Sequence, residues 1–116
     1  MLFIPVRFGM HSDWPITLPD PIGNIAIAVN RKTLSGKILG ANERIGVMDA
    51  IRAMTIDAAY ILRDDDHRGS VSTGKYGDLV ILSRNPLEVN QSELWDIEVL
   101  ETIVAGKTVF KLGVNH

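Results

Sequence analysis

Gly69-Ser70-Val71-Ser72-Thr73-Gly74-Lys75-Tyr76-Gly77-Asp78-Leu79-Val80-Ile81-Leu82 decides how this chain is organised. Glycines and hydroxyl residues give way after Asp78 to an uninterrupted apolar run, which Asn85-Pro86 closes as a turn. Such a run suits a strand buried on both faces. Val71 and its neighbours read as a further short β element. Residues 92–95 fit one helical turn, and residues 99–105 pair with 108–112 across Gly106-Lys107. Glycine first in a two-residue connection predicts a type II′ hairpin.

Upstream of this β-rich half the period changes. Val47, Ile51, Met54, Ala58 and Ile61 recur at helical spacing, with Gly46 as cap and Asp49 three residues on, so one helix is predicted over residues 47–62. Ala50, Ala53, Ala59 and Leu62 widen its apolar arc, and such a helix expects cover on more than one side. Asp20-Pro21 is a second helix start: Asp caps free amides, and Pro at the first helical position loses no hydrogen bond. Ile22, Ile25, Ala26 and Val29 form its stripe, which should end near Arg31 to Thr33. Residues 34–45, with Gly36 and Gly40, read as a loop. At the amino end Ile4, Val6, Phe8 and Met10 alternate with Phe3, Arg7 and Gly9, which predicts a strand over residues 3–10. Pro5 is tolerable near its beginning. Continuing the period puts His11 and Asp13 on one face.

The stretch 63–68, with Asp64, Asp65 and Asp66 in its middle, reads as a solvated connection. It divides the chain into residues 1–65 and 66–116. At 116 residues, 46% hydrophobic and 22% charged, the composition is globular. The chain is too short for a whole (β/α)8 barrel, which takes roughly 250 residues. The class expected is α+β. With 14 acidic and 12 scattered basic side chains, net charge −2, no footprint for nucleic acid is present. The lack of cysteine removes disulfides, thiolate metal sites and cysteine nucleophiles. No leader of signal-peptide form begins the sequence, and no window approaches the ~20 apolar residues of a membrane span. A cytoplasmic protein is expected, and the sequon Asn90-Gln91-Ser92 is then a coincidence.

Asp13 is the candidate for chemistry. A carboxylate at a strand's end can ligate a metal or act as general base, while the same residue elsewhere merely caps a helix or meets solvent. His11, two residues earlier, points the same way on a continuing strand and is a weaker candidate ligand. A catalytic zinc needs about three protein ligands. The other histidines are His67, in the acidic connection, and His116, at a chain end of the kind that frays. No His-x-His or His-Glu-x-x-His occurs. The Asp64 to Asp66 run lacks the alternating ligands and turn glycine of a calcium loop. Gly106-Lys107-Thr108 is no phosphate loop, because Glu101 stands where the motif needs glycine. Trp14 and Trp95, lone aromatics beside turns, read as packing anchors.

Taken in order, Ser12-Asp13-Trp14-Pro15, Asp20-Pro21, Glu43-Arg44-Ile45, Ala50-Ile51-Arg52-Ala53 with Thr55, Ala58-Ala59-Tyr60, Gly69-Ser70, Gly74-Lys75, Asp78-Leu79-Val80 and Gly106-Lys107 resemble the C-terminal part of a metal-dependent amidohydrolase. The likeness is to amidohydrolase family 3, the formamide deformylase-like branch, and covers nearly the whole chain. It implies a fragment of a TIM barrel, its last strand and helices, followed by part of a small β-sandwich. It also implies hydrolysis of non-peptide C–N bonds of a small-molecule amide. Asp13 would then be the aspartate ending the last barrel strand, a metal ligand that carries a proton to the departing amine. The remaining ligands would lie upstream of Met1. A divalent metal, zinc, is implied for an intact parent and none for the isolated chain, which is expected to be inactive. Three positions depart from the pattern: His11 replaces a small residue, Gly46 a Ser or Thr cap, and Gly77 an Ala.

The rival reading is a non-catalytic remnant that binds a partner or associates with itself. A homo-oligomer, or assembly with a missing amino-terminal part, is expected either way, because a lone barrel strand and a broadly apolar helix lack their neighbours. A small esterase or metal-binding protein built on His11 and Asp13 is a third, weaker alternative, since it lacks ligands.

Overall fold

The computed structural model describes residues 6–12, 19–33 and 35–113. Three helices, α1 (Pro21–Asn30), α2 (Val47–Met54) and α3 (Ile56–Ile61), precede three strands, β1 (Leu79–Leu82), β2 (Val99–Val104) and β3 (Lys107–Lys111). Short 3-10 segments occupy Ala41–Glu43 and Gln91–Asp96. The result is α+β, with a small antiparallel sheet in the order β1-β2-β3.

Helix α1 forms where the local signals place it. The Asp20 carboxylate accepts from the Gly23 amide at 2.9 Å, Pro21 opens the first turn, and Arg31 ends the helix in the left-handed region at φ 56°. The stripe Ile25, Ala26 and Val29 is buried, and with Ala50, Leu94 and Ile97 it makes the core. Val29 and Leu94 are the largest fully buried side chains. Burial of this kind contributes about 1.5–3 kcal/mol per side chain. Asn30 ties the helix end to the Gln91–Asp96 turn, donating to the carbonyls of Ala26 and Gln91, each at 2.9 Å. The core thus joins residues from both sides of position 65.

The single helix predicted over 47–62 is instead two. Thr55 breaks it at φ −125°, ψ −97°, with its hydroxyl donating to the Ile51 carbonyl at 2.7 Å and its amide to Arg52 at 3.1 Å. Gly69 explains what the break accommodates. It sits at φ +94°, and a Cβ there would lie 2.8 Å from Ile56 Cα and 2.9 Å from Ala59 Cβ. The returning chain therefore presses directly onto the start of α3, an approach only glycine permits. The inward residues are correspondingly small: Ala50, Ala53 and Ala59 are buried, Val47, Ile51 and Met54 half-buried, and Ile61, expected in the core, is exposed.

The strand expected over residues 3–10 lies partly outside the described residues. Its described part, 6–10, has no strand pairing. A strand needs a neighbour to share its hydrogen bonds, and this segment lies beside a helix instead. A Cβ on Gly9 would be 3.2 Å from the Ile61 side chain, and the Arg7 guanidinium stands 4.2 Å over the Tyr60 ring and 3.8 Å from the Asp57 carboxylate.

The sheet carries three further corrections. Val71 belongs to no strand and is exposed. β1 pairs with β2 (Leu79↔Ile103, Val80↔Thr102, Ile81↔Glu101), yet Leu79, Val80 and Ile81 are all exposed rather than buried on both faces. The hairpin turn is Ala105-Gly106, not Gly106-Lys107, because Val104 pairs with Lys107. Both turn residues have positive φ, 50° and 77°, the signature of type I′ rather than II′. Asn85 organises the expected turn after β1, its side chain accepting from the Leu87 amide at 2.9 Å.

Candidate functional site

Asp13 and His116 lie outside the described residues, so the structure speaks only to what surrounds the Asp13 position in sequence. On its amino side, the Ser12 hydroxyl accepts from the Asn24 amide group at 2.9 Å, which fixes this point of the chain to α1. On its carboxyl side, Pro19 leads into Asp20, the cap of the same helix. α1 is therefore the element that holds both flanks. His11 is exposed. Asn24 was not anticipated from sequence; a lone polar residue inside a helical stripe gives no signal of a partner twelve positions away.

The stretch around Asp64, expected to be a solvated connection, is an organised cluster of charge and aromatic rings. Asp64 faces His67 Nδ1 at 3.0 Å and Arg68 Nε at 2.7 Å. Arg68 reaches on to Asp78 at 3.2 Å and lies 5.0 Å over the Tyr76 ring, while His67 stacks on Tyr76 with centroids 5.6 Å apart. The other Asp78 oxygen accepts from the Ala105 amide at 2.9 Å, and the Gly77 carbonyl accepts from Gly106 at 2.9 Å. Asp78 is thus the joint between the 64–68 stretch and the β2–β3 turn. Its pairs are partly exposed, and each such ion pair contributes about 0–1 kcal/mol. Gly77 stands close to this turn, since a Cβ there would lie 3.2 Å from the Gly106 nitrogen. The carboxylates of the cluster are committed to cations and amides of the chain itself, which makes it a brace.

A concavity of about 820 Å³ lies between the start of α1, α2 and one face of the sheet. Ile22, Met48, Met54, Val80, Leu87 and Leu94 give it an apolar lining. Asp20 is the one ionisable group among the described residues that line it, and it is engaged in capping α1. Such a groove is suited to burying apolar surface. Among the described residues, no group of three or more His, Cys, Asp or Glu side chains comes together to hold a metal. No helix among them is long and apolar enough to cross a membrane.

The pattern of residues along the chain matches the model of the Amidohydrolase family over residues 1–110. The chain belongs to the amidohydrolase family. Among its relatives, the N-substituted formamide deformylase of Arthrobacter pascens is 33% identical over 106 residues, 91% of this chain and 20% of that protein. Protein LONG AFTER FAR-RED 3 of Arabidopsis thaliana is 39% identical over 88% of this chain and 18% of its own length. The putative amidohydrolase YtcJ of Bacillus subtilis is 30% identical over 86% and 20%. The chain therefore spans about a fifth of the length of these relatives. An amidohydrolase structure from Thermotoga maritima superposes with a TM-score of 0.68 at 23% identity, over 91% of this chain and 23% of that one, which supports the fold.

Proposed function

We propose that this chain is the C-terminal segment of a longer amidohydrolase that hydrolyses non-peptide C–N bonds of the amide or formamide type, and that the 116 residues alone are inactive. The observation that carries this is the pairing of a family match over residues 1–110 with a span of only about a fifth of the relatives' length. Residues 1–65 then descend from the last strand and helices of a TIM barrel, and residues 66–116 from part of its β-sandwich.

In the whole enzyme Asp13 is the catalytic carboxylate. Cleavage of a C–N bond requires a proton to reach the departing nitrogen, and a carboxylate at a barrel strand's end is placed to carry it. The family is generally metal-dependent, but the described residues do not fit a metal by themselves: at least three ligands are normally needed and no such group forms among them. Asn24 and Asp20 hold the flanks of the Asp13 segment on α1, which is the contribution of this chain's own packing to that site.

The test compares the 116-residue chain with the same chain extended by the coding region that precedes it, using N-acyl and N-formyl amines as substrates. The short chain should show no turnover and should not retain stoichiometric metal on elemental analysis. The extended protein should turn over, and Asp13→Asn should abolish most of that rate while leaving circular dichroism unchanged, because the amide accepts no proton. One metal per short chain, with activity lost in Asp13→Ala, would overturn the proposal.

A further inference from the structure

The first turn of α1 is poorly chosen for a helix and well chosen for what it holds. Gly23 and Asn24 stand third and fourth in it, and both are weaker helix formers than the alanines at positions 26 and 28. Each is explained by a contact outside the helix's own ladder of hydrogen bonds. Gly23 is buried against the capping carboxylate: a Cβ there would lie 2.8 Å from Asp20 Cγ, so a side chain would push the cap off the amide it accepts from. Asn24 enters the helix through its backbone amide, which donates to the Asp20 carbonyl at 2.9 Å. Its side-chain amide is left for the Ser12 hydroxyl, 2.9 Å away in a part-buried contact. The two residues thus hold both ends of the stretch 12–20 on one helical turn, and Ile25, Ala26 and Val29 seat that helix in the core.

We propose that Asn24 is a positioning residue for the hydrolytic reaction: by holding the Ser12 hydroxyl against α1 it fixes the main chain that carries the next residue, Asp13. The role rests on the proposed hydrolase function, in which Asp13 carries a proton to the departing nitrogen. Proton transfer demands hydrogen-bond reach, and a misplacement of about 1 Å can cost on the order of a hundredfold in rate. Ser12 is one peptide link from Asp13, so a pin there acts on the carboxylate over the shortest stretch of backbone. A helix selected for stability alone has no use for an asparagine at this point of its first turn; a helix that must hold Ser12 does.

Steady-state kinetics of the extended protein on N-formyl and N-acyl amines provide the test. Asn24→Ala should lower kcat by roughly tenfold or more and change KM by less than about threefold, the mark of a contact that serves the transition state. Its thermal midpoint should move little, since alanine gains helix preference as the hydrogen bond is lost. Ser12→Ala should lower kcat to a similar degree, and the double variant should be no slower than either single one, because both remove the same contact. Asn30→Ala is the control: it unties the other end of α1 from Gln91, so it should lower the thermal midpoint and leave kcat unchanged. In the 116-residue chain, hydrogen exchange of a peptide spanning residues 6–20 should quicken in Asn24→Ala and not in Asn30→Ala. An unchanged kcat in Asn24→Ala, where Asp13→Asn abolishes turnover, would overturn the positioning role and leave the hydrolase reading standing. Losses that multiply in the double variant, or a kcat that falls as far in Asn30→Ala as in Asn24→Ala, would overturn it as well. An unsubstituted extended protein without turnover would overturn both.

Discussion

The contact of α1 with the Gln91–Asp96 turn and the β1 strand are built from the same kinds of residue and end in opposite situations. Val29 and Leu94 retain only 1% of their accessibility, whereas Val80, in an equally apolar run, retains 52%. The difference lies in partners rather than in pattern. α1 has a facing element that arrives with its own apolar side chain and with hydrogen bonds from Asn30. β1 has a pairing strand on one side and, among the described residues, none on the other. Apolar periodicity states what a segment needs; only the remainder of the fold states whether it gets it.

Four substitutions would break or sharpen this contrast. Leu94→Ala should destabilise the chain by about 3 kcal/mol, since it opens a cavity in the core, and urea unfolding should report it. Asp78→Ala should cost about 1–2 kcal/mol by leaving the Ala105 amide and Arg68 without their acceptor, with faster amide exchange at residue 105 as its local mark. Asp20→Ala should cost about 1 kcal/mol through loss of the α1 cap, visible as a lower thermal midpoint with the sheet's exchange unaltered. Val80→Thr, measured where the chain is monomeric, should change stability by no more than about 0.5 kcal/mol, as substitutions of exposed residues do. A Val80→Thr effect as large as that of Leu94→Ala would show β1 to be covered in solution, and the contrast would fail.

What could be read from sequence follows the range of the forces involved. α1 was legible because its signals are local: Asp20, Pro21 and a stripe of apolar residues act within one helix. The break at Thr55 was not, because the apolar pattern runs through it and its cause, the close approach of Gly69, comes from fourteen residues downstream. The hairpin was expected one residue late for a related reason: Ala105 at positive φ contradicts alanine's own preference and is held by a distant carboxylate. The strand over residues 3–10 failed in its described part because strand formation depends on a neighbour that periodicity does not reveal. Composition showed no basic footprint for nucleic acid and, with no cysteine, excluded thiolate chemistry, but spacing alone left Asp13 between ligand and cap. The catalytic role proposed for it rests on the resemblance, and the order of motifs rather than any single one carried that.

The Ala105-Gly106 turn has a consequence for time as well as for shape. A two-residue hairpin ordinarily closes early, because its turn prefers the required geometry before anything else has formed. Here the left-handed alanine opposes closure by about 1–2 kcal/mol, and the group that compensates, Asp78, is 27 residues away in sequence. Closure of the β2–β3 ribbon therefore waits on a long-range loop, and non-local contacts of this sort slow folding. Ala105→Gly should release that dependence, so that the refolding rate rises and becomes insensitive to loss of the Asp78 carboxylate.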